Sequence, residues 1–454
     1  MRSLNKGKML LAAAALLPLS VLEANPGFSR QMDMDCMACH NQTMSQLNSF
    51  GRKFAASGFT MTSGNQSMLD GNTIKLGLPS ALNAGVLLKA RYIQSEPNDD
   101  DGLEDVGTDR GSLEMYKVSK LFFGGKIAEN VGGVGNYSYD SFGAKIVFVG
   151  ELGSGYAGVS AFMDNSFGPF SGMEYYNTGL YVPLKLFENR RGTNAAQATN
   201  LGHGPATGIQ AYYGGDVLFA SAGAYVPATS EHEGLDIGNS AIGIGRIAVA
   251  PMIGDWMVMV GAYGLGGTAR ISDDALDNIT PKADSSELID ITREAFGLDA
   301  QIEGAIGGMS TVVAVNAVLY NKTKLYNHST GVNYDELSFN SGDVEYKAGD
   351  DRALSVEVQV NPWAAVGLKA SYLHYDDRYD YKYSTAGQIR QKVDRADRDD
   401  YTLGVDYAFR QNVRFAFEYT YSDYRINDRL NQAGTDVISF SDGNNYWLYT
   451  MIGF

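Results

Sequence analysis

The chain has 454 residues, of which 44% are hydrophobic, and a formal net charge of −16 at pH 7. This acidic balance excludes a nucleic-acid-binding protein, because phosphate contacts require a basic surface. Beyond the N-terminal region, no stretch approaches the roughly 20 apolar residues of a membrane-spanning helix, which excludes a helical membrane protein.

Residues 1–24 predict a secretory signal peptide. Three basic residues precede an apolar run at 9–21, and Ala24 supplies the small residue expected before a cleavage point. The alternative is a short buried helix. Export would place the rest of the chain where its two cysteines can oxidise to a disulfide.

The two cysteines lie in Cys36-Met37-Ala38-Cys39-His40, and the chain has no others. This pattern fits C-x-x-C-H, in which two thiols attach covalently to a c-type haem and the adjacent histidine binds the iron. A disulfide or a bare redox pair needs no adjacent histidine, and a zinc site needs two further ligands. The pattern therefore predicts one haem c, with His40 as axial ligand and redox centre.

A small helical haem segment is predicted over 25–75. Leu47, Phe50 and Phe54 keep helical spacing, and Gly58 suits the end of that helix. A segment of this size is small for a core of its own. We therefore expect it to plug the lumen of the barrel that follows, or to lie on the periplasmic side of it.

Two methionines follow the predicted helix and are candidates for the sixth iron ligand, since methionine often fills that position in cytochromes c. We expect Met61 ahead of Met68. The alternative is that both residues are hydrophobic filler. The four other histidines all lie in the barrel portion.

From 76 to 454, apolar and polar residues alternate. In 401–409 the odd positions are aromatic or aliphatic and the even positions are Thr, Gly, Asp and Ala, and 413–421 and 354–360 repeat the pattern. Such alternation predicts strands with one face in an apolar medium and the other in a polar one.

A soluble β-sandwich also alternates, but three features favour a transmembrane barrel. Aromatic residues gather near the strand ends, the last strand ends in Phe454, and short turns alternate with long polar loops. Tight turns are predicted near 254–255, 307–308, 361–362 and 410–412, and long loops near 271–290, 323–351, 377–399 and 426–445. We predict an all-β, antiparallel barrel of about 16 strands in a bacterial outer membrane, in contact with its lipid. Residues 165–205 are predicted to form either one long outer loop or a further hairpin.

Three stretches together carry a family resemblance. Phe28-Ser29-Arg30-Gln31, the haem box, and Phe50-Gly51-Arg52-Lys53-Phe54 with Gly58-Phe59-Thr60 resemble the N-terminal module of the fused monohaem cytochrome–porins, known as outer-membrane iron(II) oxidases. The resemblance is close over 26–60 and only architectural across the barrel. Ser29 and Phe59 stand where the family commonly has Ala and Tyr.

The resemblance implies haem thioether bonds at Cys36 and Cys39 and a proximal ligand at His40. It also implies contacts around the haem, either to its propionates or by packing, from Arg30, Gln31, Arg52 and Phe54. The implied activity is Fe(II) oxidation outside the cell, with the electron passed to a periplasmic carrier such as a small cytochrome c or a copper protein.

Such outer-sphere transfer needs no acid or base, and the sequence contains no convincing catalytic triad. Five acids are expected to face the lumen, namely Asp299, Glu303, Glu357, Asp406 and Glu418. We expect them either to guide Fe(II) inward or simply to line a hydrated pore together with Lys369, Arg410 and Arg414. Three other functions stay open. They are an electron conduit for another donor or an extracellular acceptor, a diffusion porin with a structural or sensory haem, and a barrel that binds or imports a metal complex.

Overall fold

The computed structural model describes residues 26–41, 45–64, 68–69, 78–79, 83–95, 111–115, 119–138, 141–228, 240–272, 288–327, 336–339, 344–347, 351–385, 388–424, 429–430, 437–438 and 443–454. The predicted signal peptide and the predicted boundary near 75 lie outside these residues. Within them, no helix has the length and apolar character needed to cross a membrane.

Sixteen long strands in the described residues form a closed antiparallel barrel. The last strand pairs with the first, with Gly453 opposite Leu87 and Asn445 opposite Ser95, so the sheet has no free edge. The strands are β1 Ala84–Ser95, β2 Lys120–Ala128, β3 Val131–Ser138, β4 Ser141–Leu152, β5 Gly155–Asp164, β6 Ala206–Gly214, β7 Leu218–Val226, β8 Ile242–Val249, β9 Trp256–Ser272, β10 Leu288–Ile306, β11 Met309–Asn327, β12 Asp351–Trp363, β13 Val366–Thr385, β14 Gln388–Arg410, β15 Val413–Tyr424 and β16 Gly443–Gly453.

Among the shorter strands of the described residues, four belong to the barrel sheet and four form two separate two-stranded sheets. They are Met68–Leu69, Leu78–Pro79, Ser112–Glu114, Met252–Ile253, Glu336–Phe339, Val344–Lys347, Arg429–Leu430 and Val437–Ile438.

The strands carry the predicted alternation. On β15, Phe415 and Phe417 are 39% and 41% exposed on the outside, whereas Arg414, Ala416 and Glu418 are buried on the inside. An apolar outer face and a polar inner face are typical of a transmembrane barrel. The predicted all-β barrel of about sixteen strands is confirmed.

Connections at one rim are short, with turns at 129–130, 153–154, 307–308, 364–365 and 411–412. The prediction of a long loop at 377–399 is wrong, because β13 and β14 continue as a paired ribbon as far as Thr385 and Gln388. Backbone pairing between β13 and β14 therefore continues beyond the barrel wall, and Val344–Lys347 pairs with the other edge of β13 at 380–383.

Residues 165–205 form one inward-folded connection rather than a further hairpin, and we call it the plug loop. Phe170 and Leu180 in it are fully buried. It contains three 3₁₀ turns and one short helix. These are Pro169–Ser171, Val182–Leu184, Arg190–Gly192 and Ala195–Ala198.

The N-terminal segment contains short helices, as predicted. Helix α1 covers Pro26–Met32, a 3₁₀ turn covers Cys36–Ala38, and helix α2 covers Ser49–Ala56; the helix of the plug loop is α3. Both the segment and the plug loop pack against inward-facing residues of the barrel.

Candidate functional site

The C-x-x-C-H box folds as a single tight turn. The Asp35 carboxylate caps it by accepting a hydrogen bond from the Ala38 amide at 3.0 Å. The amides of Cys39 and His40 both donate to the Cys36 carbonyl oxygen, at 3.1 and 3.0 Å. This turn brings the two cysteines and the histidine to one cavity.

Asn48 joins the box to helix α2. Its Oδ1 accepts the Gly51 amide at 2.9 Å as an N-cap, and its Nδ2 donates to the carbonyls of Met37, Ala38 and His40. At Gly51 the helix touches the box, because a Cβ atom there would lie 2.0 Å from the Cys39 carbonyl oxygen. Only glycine permits this approach.

Three phenylalanines form the core of the N-terminal segment. Phe28 stacks on Phe59 with ring centroids 5.3 Å apart, and Phe54 meets Phe28 edge-on at 5.0 Å. Helix α2 and these rings belong to one buried cluster with residues of the barrel wall and plug loop, among them Val147, Val149, Tyr175, Tyr212, Phe219, Met257 and Met259. The segment thus completes its core with the barrel, as its small size predicts.

Polar contacts fix the segment at the rim with the short turns. Arg52 forms a two-pronged ion pair with Glu303 of β10, with oxygen distances of 2.7 and 2.9 Å. The Cys36 amide donates to Gln411 Oε1 in the β14–β15 turn at 3.2 Å. Gln31 accepts the Lys126 amide on β2 at 3.0 Å.

A cavity of about 260 Å³ opens beside the box, between the N-terminal segment, strands β1 to β5 and the plug loop. Its walls are mainly apolar, and Cys36, Cys39 and His40 all line it. The apolar residues that line it include Phe28, Met32, Leu47, Phe54, Phe59, Leu87, Phe122, Val134, Phe162, Phe167, Met173 and Leu184. An apolar cavity with few polar groups is the usual setting of a cofactor.

The ligand chemistry of the box also fits a haem. Burial lowers the pKa of His40 to about 4, so the imidazole is neutral, which is the form that binds metals. Its Nδ1 lies 3.3 Å from the Gln46 carbonyl oxygen, which leaves Nε2 as the ligand atom. The two cysteines do not form a disulfide with each other, and burial, followed by the charge of Asp35, raises the pKa of Cys39 to about 11.

The structure does not bring all the sequence candidates to the cavity. Arg30 Nη1 donates to the Ala84 carbonyl at 2.9 Å, and Arg52 is engaged by Glu303. Met61 packs beside the phenylalanine core and its carbonyl accepts from Gln31, but its side chain does not line the cavity. Only the backbone of Met68 is described. The sixth ligand at Met61 stays a prediction.

The acids predicted to face the lumen do so, and they hold the plug loop and the N-terminal segment. Arg246 of β8 pairs with Asp299 of β10 at 2.7 Å and with Glu174 of the plug loop at 2.9 Å, and all three side chains are completely buried. Glu357 accepts from Asn194 at 3.0 Å.

A second group of charged residues on the barrel wall contacts the plug loop at Glu188. Glu418 accepts the amide of Glu188 and pairs with Lys369, both through Oε1, at 3.0 and 2.9 Å. Lys369 and Arg414 both pair with Asp406, the former at 3.2 Å. Arg410 is exposed at the β14–β15 turn, so its predicted place in the lumen is wrong.

These acids are committed to protein partners. In the part of the chain that the structure describes, no group of three or more His, Cys, Asp or Glu side chains is arranged to hold a metal ion. The cavity is also lined by Lys145, Glu174 and Asp164. The sequence does not single them out, because they are far from the box along the chain and come close to it only in the folded barrel.

No protein-family model and no curated protein matches the chain. Solved structures similar to it include in-vitro folded OmpT, an outer membrane protein of Vibrio cholerae, with 14% identity, a TM-score of 0.42 and coverage of 82% of this chain and 97% of that one. Another is the anion-selective porin of Comamonas acidovorans, with 10% identity, a TM-score of 0.43 and coverage of 82% and 99%. The closed sixteen-stranded barrel and its apolar outer band make the chain a porin-like β-barrel of the outer-membrane type.

Proposed function

We propose that the chain is an outer-membrane electron-transfer protein that carries one haem c. Cys36 and Cys39 would hold the haem by thioether bonds and His40 would bind its iron. The observation that carries the proposal is that all three residues of the box line one mainly apolar cavity inside a barrel. When bound, the haem supplies one-electron chemistry, with a potential set by its ligands and burial.

The protein residues have three tasks in this proposal. The phenylalanine core and the barrel wall exclude water from the cavity. Gln46 orients the His40 ring through its carbonyl oxygen. The Arg52–Glu303 pair and the Gln411 contact hold the box near the rim with the short turns, which is the periplasmic side in outer-membrane barrels. A haem there is within reach of a periplasmic carrier.

For the electron donor we propose extracellular Fe(II), as the resemblance of residues 26–60 implies, and for the acceptor a small periplasmic cytochrome c or copper protein. Another donor, or an extracellular acceptor, would use the same site. The iron(II) oxidase activity needs no acid or base, and the lumen acids serve to fix the plug loop rather than to bind iron.

The second candidate function is a diffusion porin with a structural or sensory haem. The barrel architecture favours it, but the plug loop and the N-terminal segment occupy the lumen and bury its charged wall, as shown by Asp299 and Lys369, which are 4% and 3% exposed. Import of a metal complex meets the same obstruction. We therefore expect low conductance in planar bilayers.

Two measurements test the proposal. Mass spectrometry of the exported protein should show one added haem, and a haem-free mature chain overturns it. Excess Fe(II) added without oxygen should convert the optical spectrum to that of the reduced haem in the unaltered protein but not in His40→Ala. A spectrum that stays oxidised excludes Fe(II) as the donor and leaves another donor to be sought.

A further inference from the structure

Lys145 is a buried cation that faces the proposed haem cavity. It lies on the inner face of β4, is 6% exposed, and lines the cavity between Val134 and Phe162, its partners on the neighbouring strands. Among the described residues that line the cavity, it is the one lysine or arginine.

The ammonium group of Lys145 makes few direct contacts with polar groups of the protein. Its Nζ donates one hydrogen bond, to the Ser171 carbonyl oxygen of the plug loop at 2.9 Å. It also lies 4.8 Å from the Tyr181 ring centroid and 5.6 Å from that of Phe59. No carboxylate of the described residues comes within ion-pair distance of it. A buried charge without a direct ion pair is costly, and an anionic ligand beside it would reduce that cost.

The carboxylates that line the same cavity are engaged elsewhere. Asp164 Oδ1 accepts the amides of Ser166 and Phe167 at 2.8 and 2.7 Å. Glu174 pairs with Arg246. Asp35 is exposed and caps the box. The charges of Asp164 and Glu174 favour the ammonium form of Lys145 from a distance, but neither carboxylate forms a direct ion pair with it. The hydrogen bonds that these acids accept reduce their repulsion of a second anion.

We propose that Lys145 binds a propionate of the haem attached at Cys36 and Cys39. The inference rests on the proposed function, since the two propionates are the anions that a haem brings into such a cavity. In this proposal Lys145 has the role that the sequence resemblance suggested for two arginines. Arg30 and Arg52 instead contact Ala84 and Glu303 outside the cavity. Lys145 is therefore a cofactor-binding residue supplied by the barrel wall.

The main test compares three full-length, haem-loaded variants by spectroelectrochemical titration. In Lys145→Met the midpoint potential should fall, because a cation beside the haem favours the reduced state. We expect about a tenfold change in the reduction equilibrium, which is about 59 mV for one electron. The potential should also acquire a dependence on pH, since an unpaired propionate takes up a proton. Lys145→Arg and the exposed control Lys53→Met should match the unaltered protein.

The outcomes separate this inference from the proposed function. If the unaltered chain carries no haem, both fail. If haem is present and the potential of Lys145→Met stays unchanged at every pH, the role of Lys145 fails and the haem site stands.

A second measurement covers the case in which Lys145→Met does not fold with haem. In the haem-free Cys36→Ala/Cys39→Ala chain, Lys145→Met should raise the melting temperature, because it removes a buried charge that has no direct ion pair and whose burial is costly. A lower melting temperature, or failure to fold in that background, shows a structural role for Lys145 and overturns the inference.

Discussion

Arg52 in helix α2 and Glu303 on β10 form a two-pronged ion pair, with side chains only 8% and 13% exposed. Arg52 Nη1 also donates to the Leu47 carbonyl at 2.9 Å, so one guanidinium links the helix, the chain beside the haem box and the barrel wall. Planar guanidinium–carboxylate pairing fixes orientation as well as distance.

Arg52→Met should release the N-terminal segment from the wall. Removing one partner of a buried ion pair leaves the other charge unpaired, which destabilises the docked arrangement by about 3–5 kcal/mol. Limited proteolysis of the folded barrel should therefore cleave the segment faster in Arg52→Met than in Lys53→Met, which changes an exposed neighbour on the same helix. Equal cleavage rates would show that the ion pair does not hold the segment.

Arg246 is the main attachment of the plug loop, because it pairs with Glu174 of the loop and Asp299 of the wall with no side-chain exposure. Arg246→Met leaves two buried carboxylates without their arginine partner. This should lower the free energy of unfolding by about 3–5 kcal/mol and so lower the melting temperature. It should also raise single-channel conductance in planar bilayers. Arg270→Met, which breaks the more exposed pair with Asp290, is the control and should change neither measurement. An Arg246→Met barrel that conducts no better than the unaltered protein contradicts the attachment.

Gly51 is predicted to be irreplaceable. In Gly51→Ala the new methyl group would meet the Cys39 carbonyl oxygen, and this contact is backbone that cannot rotate away. Helix α2 and the haem box must then separate, so the yield of covalent haem, measured by mass spectrometry, should fall severalfold. Gly150→Ala on β4, where a Cβ meets nothing within 4 Å, should keep the full yield. Normal haem attachment in Gly51→Ala would mean that the close approach is not required.

His203 should make the docking of the plug loop against the barrel depend on pH. Burial, reinforced by the charges of Arg190 and Arg191, lowers the pKa of His203 to about 4. Between that value and the ordinary pKa of about 6.5, the released loop binds more protons than the docked one, so docking weakens as the pH falls. Proteolysis of the loop should accelerate from pH 7 to pH 5, and His203→Gln should remove that difference. A pH dependence that persists in His203→Gln assigns it to another group.

The strands could be predicted from sequence because alternation in a barrel is local. Leu403 and Val405 point to lipid and Thr402 and Asp406 to the interior, as the period of two requires. The haem box was equally local, since five consecutive residues specify it.

The plug loop could not be predicted in this way. Its apolar residues, such as Phe170 and Leu180, follow neither helical nor strand periodicity, and they are buried by strands distant in the chain. The partners of the lumen acids are hidden for the same reason, because Arg52 and Glu303 are separated by 251 positions. The family resemblance suggested that Arg30 contacts the haem. In the structure, Arg30 donates a hydrogen bond to the Ala84 carbonyl oxygen at the start of β1.

Asn48 has a consequence for the order of assembly. Its amide group holds the carbonyls of Met37, Ala38 and His40 while its oxygen starts helix α2, so the shape of the box depends on contacts within a short stretch of chain. The surroundings of the box, by contrast, exist only once the sheet has closed into a cylinder. Covalent attachment of the proposed haem can therefore precede membrane insertion, and the closing barrel wall then adds the remaining contacts around it.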